Sequence, residues 1–215
     1  MSTPEVTVID YGVGNLLSVQ RGLEHCGSKV ILTADPEKIL AAKRVVLPGV
    51  GAFVNAMQAL ENLDLVSVIR ELDRRKIPLL GICLGMQLLL EESEEFGVTA
   101  GLGLIPGRVI PVPDRTLSGA TQKIPHIGWS ALQPSNGLGG WQHSLQQDNS
   151  PGEAVYFVHS FIAVPTDPAH RIADCLYGGH KIPATISRDQ ITGCQFHPEK
   201  SGEVGLKILH RFLLQ

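Results

Sequence analysis

The chain has 215 residues, 43% of them hydrophobic and 18% charged, with a formal net charge of -3. That is enough apolar sequence for one sizeable core, so a single folded domain over residues 1–215 is expected rather than a disordered chain. The basic residues are scattered rather than gathered into a stripe, which argues against nucleic acid as a partner.

The first residues, MSTPEVTVIDYG, pass from a polar start straight into a strand. No charged and apolar leader precedes it and no apolar run reaches membrane-spanning length, so the expected location is the cytoplasm, with no membrane contact. The four cysteines, Cys26, Cys83, Cys175 and Cys194, lie far apart without CxxC spacing. In a reducing compartment they read as free thiols, neither a disulfide framework nor a zinc site.

Val6 to Asp10 is a β-rich run that breaks at Gly12 and Gly14, and the spacing of Leu16, Val19 and Leu23 predicts a helix stopped at Gly27. A second strand, KVILT, is followed by a short helix opened by Asp35 with Pro36 at its first position. RVVLP then forms a third strand that ends in the loop PGVGAF, and a helical region from about Val54 to Arg75 leads to the buried strand IPLLGIC and a helix from Leu84. Nearly continuous apolar strands alternating with helices indicate a parallel sheet covered on both faces. The loops YGVGN, PGVGAF and ICLGMQ all fall at the carboxyl edge of such a sheet, where ligands bind.

The second half reads as short strands joined by turns: GLIPGRVIPV, KIPHIGWSAL, AVYFVHSFIAV, IADCLYG, KIPATIS and ITGCQFH. These predict an antiparallel or mixed extension to the parallel core. Between them, the segment from Pro134 to Gly152 is polar and rich in Gly, Ser, Asn and Gln, the composition of a long exposed loop. The last helix carries one apolar face of Val204, Ile208, Leu209, Phe212 and Leu213.

Gly81-Ile82-Cys83-Leu84-Gly85, at a strand-to-helix junction, is the cysteine counterpart of a nucleophile elbow, in which flanking glycines permit a strained turn. A helix N-terminus at Cys83 favours thiolate over thiol, and its free N–H groups can hold an oxyanion. A small core residue is the plain alternative for a free cysteine. Companion residues separate the two readings, because a thiolate needs a base that returns a proton to the leaving group, and the base needs an orienting group. CQFHPEKS offers both, with His197 at a strand end and Glu199 two residues on. His25, His143, His170 and His210 carry no such companions, and His126 and His159 read as buried, hydrogen-bonded strand residues. YGVGN and PGVG are poor nucleotide sites, since Leu17 stands where a third glycine belongs and no acidic residue ends KVILT.

GICLGMQLL together with FHPE resembles the class I, triad-type glutamine amidotransferases. PGVGAF, IPHIGW, YFVHSF and FHPEKS narrow the resemblance to glutaminase subunits that feed a separate (β/α)₈-barrel cyclase, and it runs from YGVGN to the final helix. The implied fold is α/β, a flavodoxin-like, doubly wound, mainly parallel sheet with helices on both faces and an added antiparallel or mixed extension. The implied triad is Cys83 as nucleophile, His197 as general acid and base, and Glu199 as orienter. Leu84, Val50 and Gly51 would form the oxyanion hole, with the Gly49–Val50 peptide able to turn. Gln87, Glu95, Ser160 and Phe161 would bind L-glutamine, with Glu95 taking the α-ammonium; at Phe161 the family more often has Tyr. Asn15, Trp129 and Lys200 would contact the cyclase in a heterodimer, against plain readings as a turn asparagine, a half-buried tryptophan and a solvated lysine. No cofactor and no metal are implied.

After the glutaminase motifs no residues remain for a domain that uses ammonia, so a partner is expected. The segments from Pro113 to Gln122 and from Pro134 to Gly152 look like insertions, either decorating the surface or extending the partner interface. Other readings are a glutaminase serving anthranilate or pyridoxal phosphate synthesis, which should lack the combined PGVG, PHIGW and HPEKS set, a flavodoxin-like binding module, and a silent scaffold subunit.

Overall fold

The computed structural model of the chain describes residues 3–135 and 141–215. Its elements run β1 (Glu5–Ile9), α1 (Leu16–His25), β2 (Lys29–Thr33), α2 (Pro36–Leu40), β3 (Val45–Gly49), α3 (Phe53–Asn62), α4 (Leu65–Arg74), β4 (Leu79–Cys83) and α5 (Leu84–Leu88). Then come β5 (Glu92–Ser93), β6 (Thr99–Ala100), β7 (Gly107–Pro111), β8 (His126–Ala131), β9 (Gln133–Pro134), β10 (Ala154–His159), β11 (Phe161–Pro165), β12 (Arg171–Tyr177), β13 (His180–Arg188), β14 (Ile191–Cys194) and α6 (Gly202–Leu213).

The main sheet has the order β2-β1-β3-β4-β14-β13-β12-β9. Its first five strands are mutually parallel and its last three antiparallel. The order turns back at β1, so the loops after β1 and β3 leave toward opposite sides and open a crevice at the carboxyl edge. Two small sheets, β10-β8 and β11-β7-β5-β6, complete the mixed extension.

Strand periodicity assigns residues to the two faces. Val45, Leu47 and Leu79 point to one core with α3, α4 and α5, while Val6, Val8, Val46 and Leu80 point to the other with α1 and α6. On α6, Ile208, Leu209, Phe212 and Leu213 are buried and Val204 packs at the margin. Each fully buried side chain of this size contributes about 1.5–3 kcal/mol, which fixes the helix against the sheet near the site.

Three expectations need correction. The helical region from Val54 to Arg75 is two helices, broken where Asp64 adopts a left-handed φ of 55°. The break re-phases the apolar face: Phe53, Ala56, Met57 and Leu60 in α3 are followed by Leu65, Val68, Ile69 and Leu72 in α4. AVYFVHSFIAV is also broken, at Ser160, with β10 pairing to β8 and β11 to β7.

The third concerns the polar segment from Pro134 to Gly152, of which residues 136–140 lie outside the described residues. Its second part is not an exposed loop: Trp141 and Leu145 enter the α1–α6 core, Trp141 Nε1 donates to the Ile172 carbonyl (3.2 Å), and buried Gln146 donates to Thr185 Oγ1 (2.8 Å). Residues 113–122 form a small hairpin, bridged at Arg115 and Thr121, whose Leu117 N–H reaches the Gly178 carbonyl in the β12–β13 turn. No helix among the described residues is long and apolar enough to cross a membrane.

Candidate active site

β3, β4 and β14 lie side by side, with Gly49 opposite Cys83 and Cys194 opposite Ile82. Three neighbouring strand ends therefore bring together the PGVG loop, Cys83 and His197. The sheet, rather than the loops, sets their spacing.

Cys83 has φ 56° and ψ -110°, a conformation that side-chain-bearing residues avoid, and α5 begins at the next residue. The flanking glycines are needed for a different reason from the one expected. Strain falls on Cys83 itself, whereas Gly81 and Gly85 allow close backbone approach: a Cβ on Gly81 would stand 2.6 Å from the Gly85 carbonyl oxygen, and one on Gly85 would collide with the Leu47 carbonyl. The helix is one short turn, so the thiol sits on a tight elbow locked between β3 and β14.

A cleft of ≈ 380 Å³ opens above it, lined by Val50, Gly51, Cys83, Leu84, Gln87, Glu95, Ser160, Phe161, His197 and Lys200 among the expected residues, and by Pro125, Val158 and His159 besides. Glu199 stands behind His197, its side chain fully buried, and the His197 Nδ1–Glu199 Oε1 distance is 2.8 Å. Gly22 of α1 and Leu209 of α6 close over Glu199: a Cβ on Gly22 would lie 3.2 Å from that of Glu199 and 3.0 Å from Leu209 Cδ1. His197 Nε2 is buried and takes no hydrogen bond from any protein N or O. Burial opposes the imidazolium, but the neighbouring Cys83 sulfur and the Glu199 carboxylate outweigh it and push His197 up to about 9.

The Cys83 thiol is 3.8 Å from the Val158 carbonyl and 3.9 Å from Gln195 Nε2. Burial pushes the other three thiols up, Cys175 and Cys194 to about 12 and Cys26 above its ordinary value, so none of these three is readily ionised. Among the described residues no group of three or more His, Cys, Asp or Glu side chains is arranged to hold a metal ion.

On the cleft wall, Gln87 Nε2 donates to the Phe161 carbonyl and to Gln195 Oε1, both at 3.0 Å. Both amide N–H groups are therefore engaged, and the remaining Oε1 can only accept. Glu95 has a task beyond the expected one: its Oε2 accepts the Phe53 N–H at 2.6 Å, at the start of α3, where Ala52 supplies no side-chain cap. The Ser160 carbonyl is held by the Val112 N–H.

Asn15 and Trp129 lie away from the cleft. Asn15 caps α1 by accepting the Ser18 N–H, and Trp129 on β8 is 59% exposed, edge-on to Tyr156. Lys200 is exposed at the cleft rim, beyond the His197 carbonyl that its N–H contacts.

Two further contacts escape motif reading. The buried Tyr11 hydroxyl donates to the Pro48 carbonyl at 2.8 Å, fastening the first loop to the start of PGVG, and burial and the Cys83 charge keep it a phenol. His159 Nδ1 lies 2.9 Å from the Phe161 carbonyl and its Nε2 lies 3.0 Å from His126 Nδ1, which places a hydrogen on Nδ1 of each ring. Burial lowers His126 to about 4; for His159, burial is opposed by the Phe161 bond and reinforced by His126 and His197, leaving about 3, so both are neutral. The signal for Tyr11 was its place in YGVGN; the two histidines were legible as buried, hydrogen-bonded strand residues, but nothing local marked them as partners of each other.

The family model for class I glutamine amidotransferases matches residues 7–215. An imidazole glycerol phosphate synthase subunit HisH of Legionella pneumophila is 49% identical over 208 residues, covering 97% of this chain and 98% of the relative. A HisH subunit of Bacillus cereus is 44% identical over 210 residues, covering 96% and 93%. Among solved structures, a crystal structure of a glutamine amidotransferase aligns with a TM-score of 0.71 at 16% identity over 97% of this chain and 96% of that one, and the PurLQS structure of Thermotoga maritima with 0.70 at 17% over 99% of each. Those structures support the α/β fold with its mainly parallel central sheet, and the sequence relatives go further: the chain belongs to the class I glutamine amidotransferases, among the HisH subunits of imidazole glycerol phosphate synthase.

Proposed function

We propose that Cys83, His197 and Glu199 form a glutaminase triad, that residues 1–215 work as one amidotransferase domain, and that the ammonia passes to a cyclase partner. The observation that carries the reading is the strained Cys83 at a strand end, sharing a cleft with an imidazole held by a fully buried carboxylate. In this reading the Cys83 thiolate attacks the carboxamide carbon of L-glutamine. The oxyanion forms between the Leu84 N–H and the Val50–Gly51 loop, and the His197 imidazolium gives its Nε2 proton to departing ammonia. His197, now neutral, takes a proton from water as the water attacks the thioester; glutamate leaves and the thiolate returns.

Substrate recognition follows from the free groups. Glu95 keeps one carboxylate oxygen for the α-ammonium, Gln87 offers its Oε1 as acceptor, and the backbone at Ser160 and Phe161 is the expected grip on the α-carboxylate through N–H groups. Cys83→Ala should abolish glutamate release from glutamine, a loss of about 10⁴-fold or more. Release at the normal rate would end the proposal.

Free ammonia is protonated in neutral water and loses its nucleophilicity, so a useful glutaminase hands it over directly. The relatives' names, which describe subunits of a synthase, support a partner. We take it to be the (β/α)₈-barrel cyclase subunit of imidazole glycerol phosphate synthase, in a heterodimer that forms imidazole glycerol phosphate and AICAR in histidine biosynthesis. The exposed indole of Trp129, with Lys200 at the rim and Asn15 in the first loop, is the expected contact surface. Neither nucleic acid nor a membrane has a part in this account, no cofactor enters the reaction, and the cytoplasm is its expected setting.

A further inference from the structure

The geometry points to Gln195 as a further residue of the glutaminase site, a directed donor that holds the Cys83 sulfur as thiolate through a relay beginning at the Phe161 carbonyl. This rests on the reading of Cys83 as nucleophile. Gln195 is the residue after β14, fully buried, with its backbone N–H fixed on the Ala184 carbonyl at 2.9 Å. Its amide lies between Gln87 and Cys83, with Oε1 3.0 Å from Gln87 Nε2 and Nε2 3.9 Å from Cys83 Sγ, within the range of a hydrogen bond to sulfur.

The direction of the relay follows from donor and acceptor chemistry. The Phe161 carbonyl can only accept, so the side-chain group of Gln87 that faces it must be its NH₂. The second N–H of that NH₂ then faces Gln195, which must answer with its carbonyl oxygen. That choice leaves the Gln195 NH₂, and not its oxygen, against the sulfur. A donor there favours S⁻ over S–H, whereas an acceptor would do the reverse. The thiol, when protonated, has the Val158 carbonyl to donate to, so the two protonation states of Cys83 use two different neighbours.

The test is the rate of iodoacetamide alkylation of Cys83, followed on its peptide by mass spectrometry from pH 5 to 10, in the full chain and in Gln195→Met and Gln195→Glu. Tyr11, His159, His197, Glu95 and Lys200, the other ionisable groups around the sulfur and its cleft, stay in place throughout. Gln195→Met keeps the length and removes the donor. It should lower the rate at pH 7 about tenfold, the effect of one charge-assisted hydrogen bond, move the midpoint of the profile to higher pH, and leave the alkaline plateau unchanged. Gln195→Glu, which sets an anion beside the sulfur, should move the midpoint further.

A lowered plateau with an unmoved midpoint would mean a packing role only and would overturn the relay. Midpoints equal to that of the parent chain in both variants would overturn it too. If Cys83 in the parent chain alkylates no faster at pH 7 than it does in the denatured chain, the nucleophile reading itself falls, which keeps the two failures distinct.

Discussion

In the proposed reaction His197 meets two opposed demands, as an acid when ammonia leaves and as a base when water attacks. Burial would keep it neutral, as it helps to do for His159 in the same cleft and for His126 behind it. The Cys83 sulfur and the Glu199 carboxylate reverse the sign and hold it up to about 9. Because the folded value is raised above the ordinary 6.5, the stabilisation is fully present below pH 6.5 and is lost as pH rises through 9. The same group sets an alkaline limit on activity: glutaminase kcat/KM should fall about tenfold per pH unit above 9. Glu199→Gln should bring that limit down toward 6.5, and an unmoved alkaline limb would show that Glu199 does not hold the proton. At this scale the meeting of Cys83, His197 and Glu199 was legible in sequence because each sits inside a short motif with its own geometry. Gln195 stood inside CQFHPEKS and was still missed, because its partners, Gln87 and Cys83, are more than a hundred residues away and only the sheet brings them together.

The elbow shows how elements constrain the proposed nucleophile. β4 delivers Cys83 at the sheet edge, α5 turns away at once, and the Leu47 carbonyl of β3 fills the space where a side chain at position 85 would go. Gly85→Ala should therefore destabilise the protein by about 2–3 kcal/mol, read as a lower denaturation midpoint, with loss of glutaminase activity under native conditions; an unchanged midpoint would contradict the packing account. The alternation of strands and helices through Cys83 was readable because apolar periodicity dictates it. The break between α3 and α4 was not, since both halves are amphipathic and the change of phase at Asp64 is a matter of which face meets the sheet. Residues 141–149 misled for a similar reason. Their composition is polar, but Trp141 and Leu145 find a core that only the folded β12 and α6 create.

Across the whole molecule, the parallel half supplies the strand ends that carry PGVG, Cys83 and His197, and the mixed extension supplies the far wall with Ser160 and Phe161. Trp129 lies on the extension, exposed and outside the cleft, so a partner seated there would reach the site from the side where β8 and β10 meet it. Hydrolysis and ammonia transfer would then be parts of one function divided between two subunits. The decisive measurement follows the amide nitrogen of labelled glutamine when this chain is mixed with a cyclase subunit and its ribonucleotide substrate. Label in imidazole glycerol phosphate, undiluted by excess unlabelled ammonium in the medium, is the predicted result. Glutamate formation with no label in that product would contradict the transfer and leave only a glutaminase.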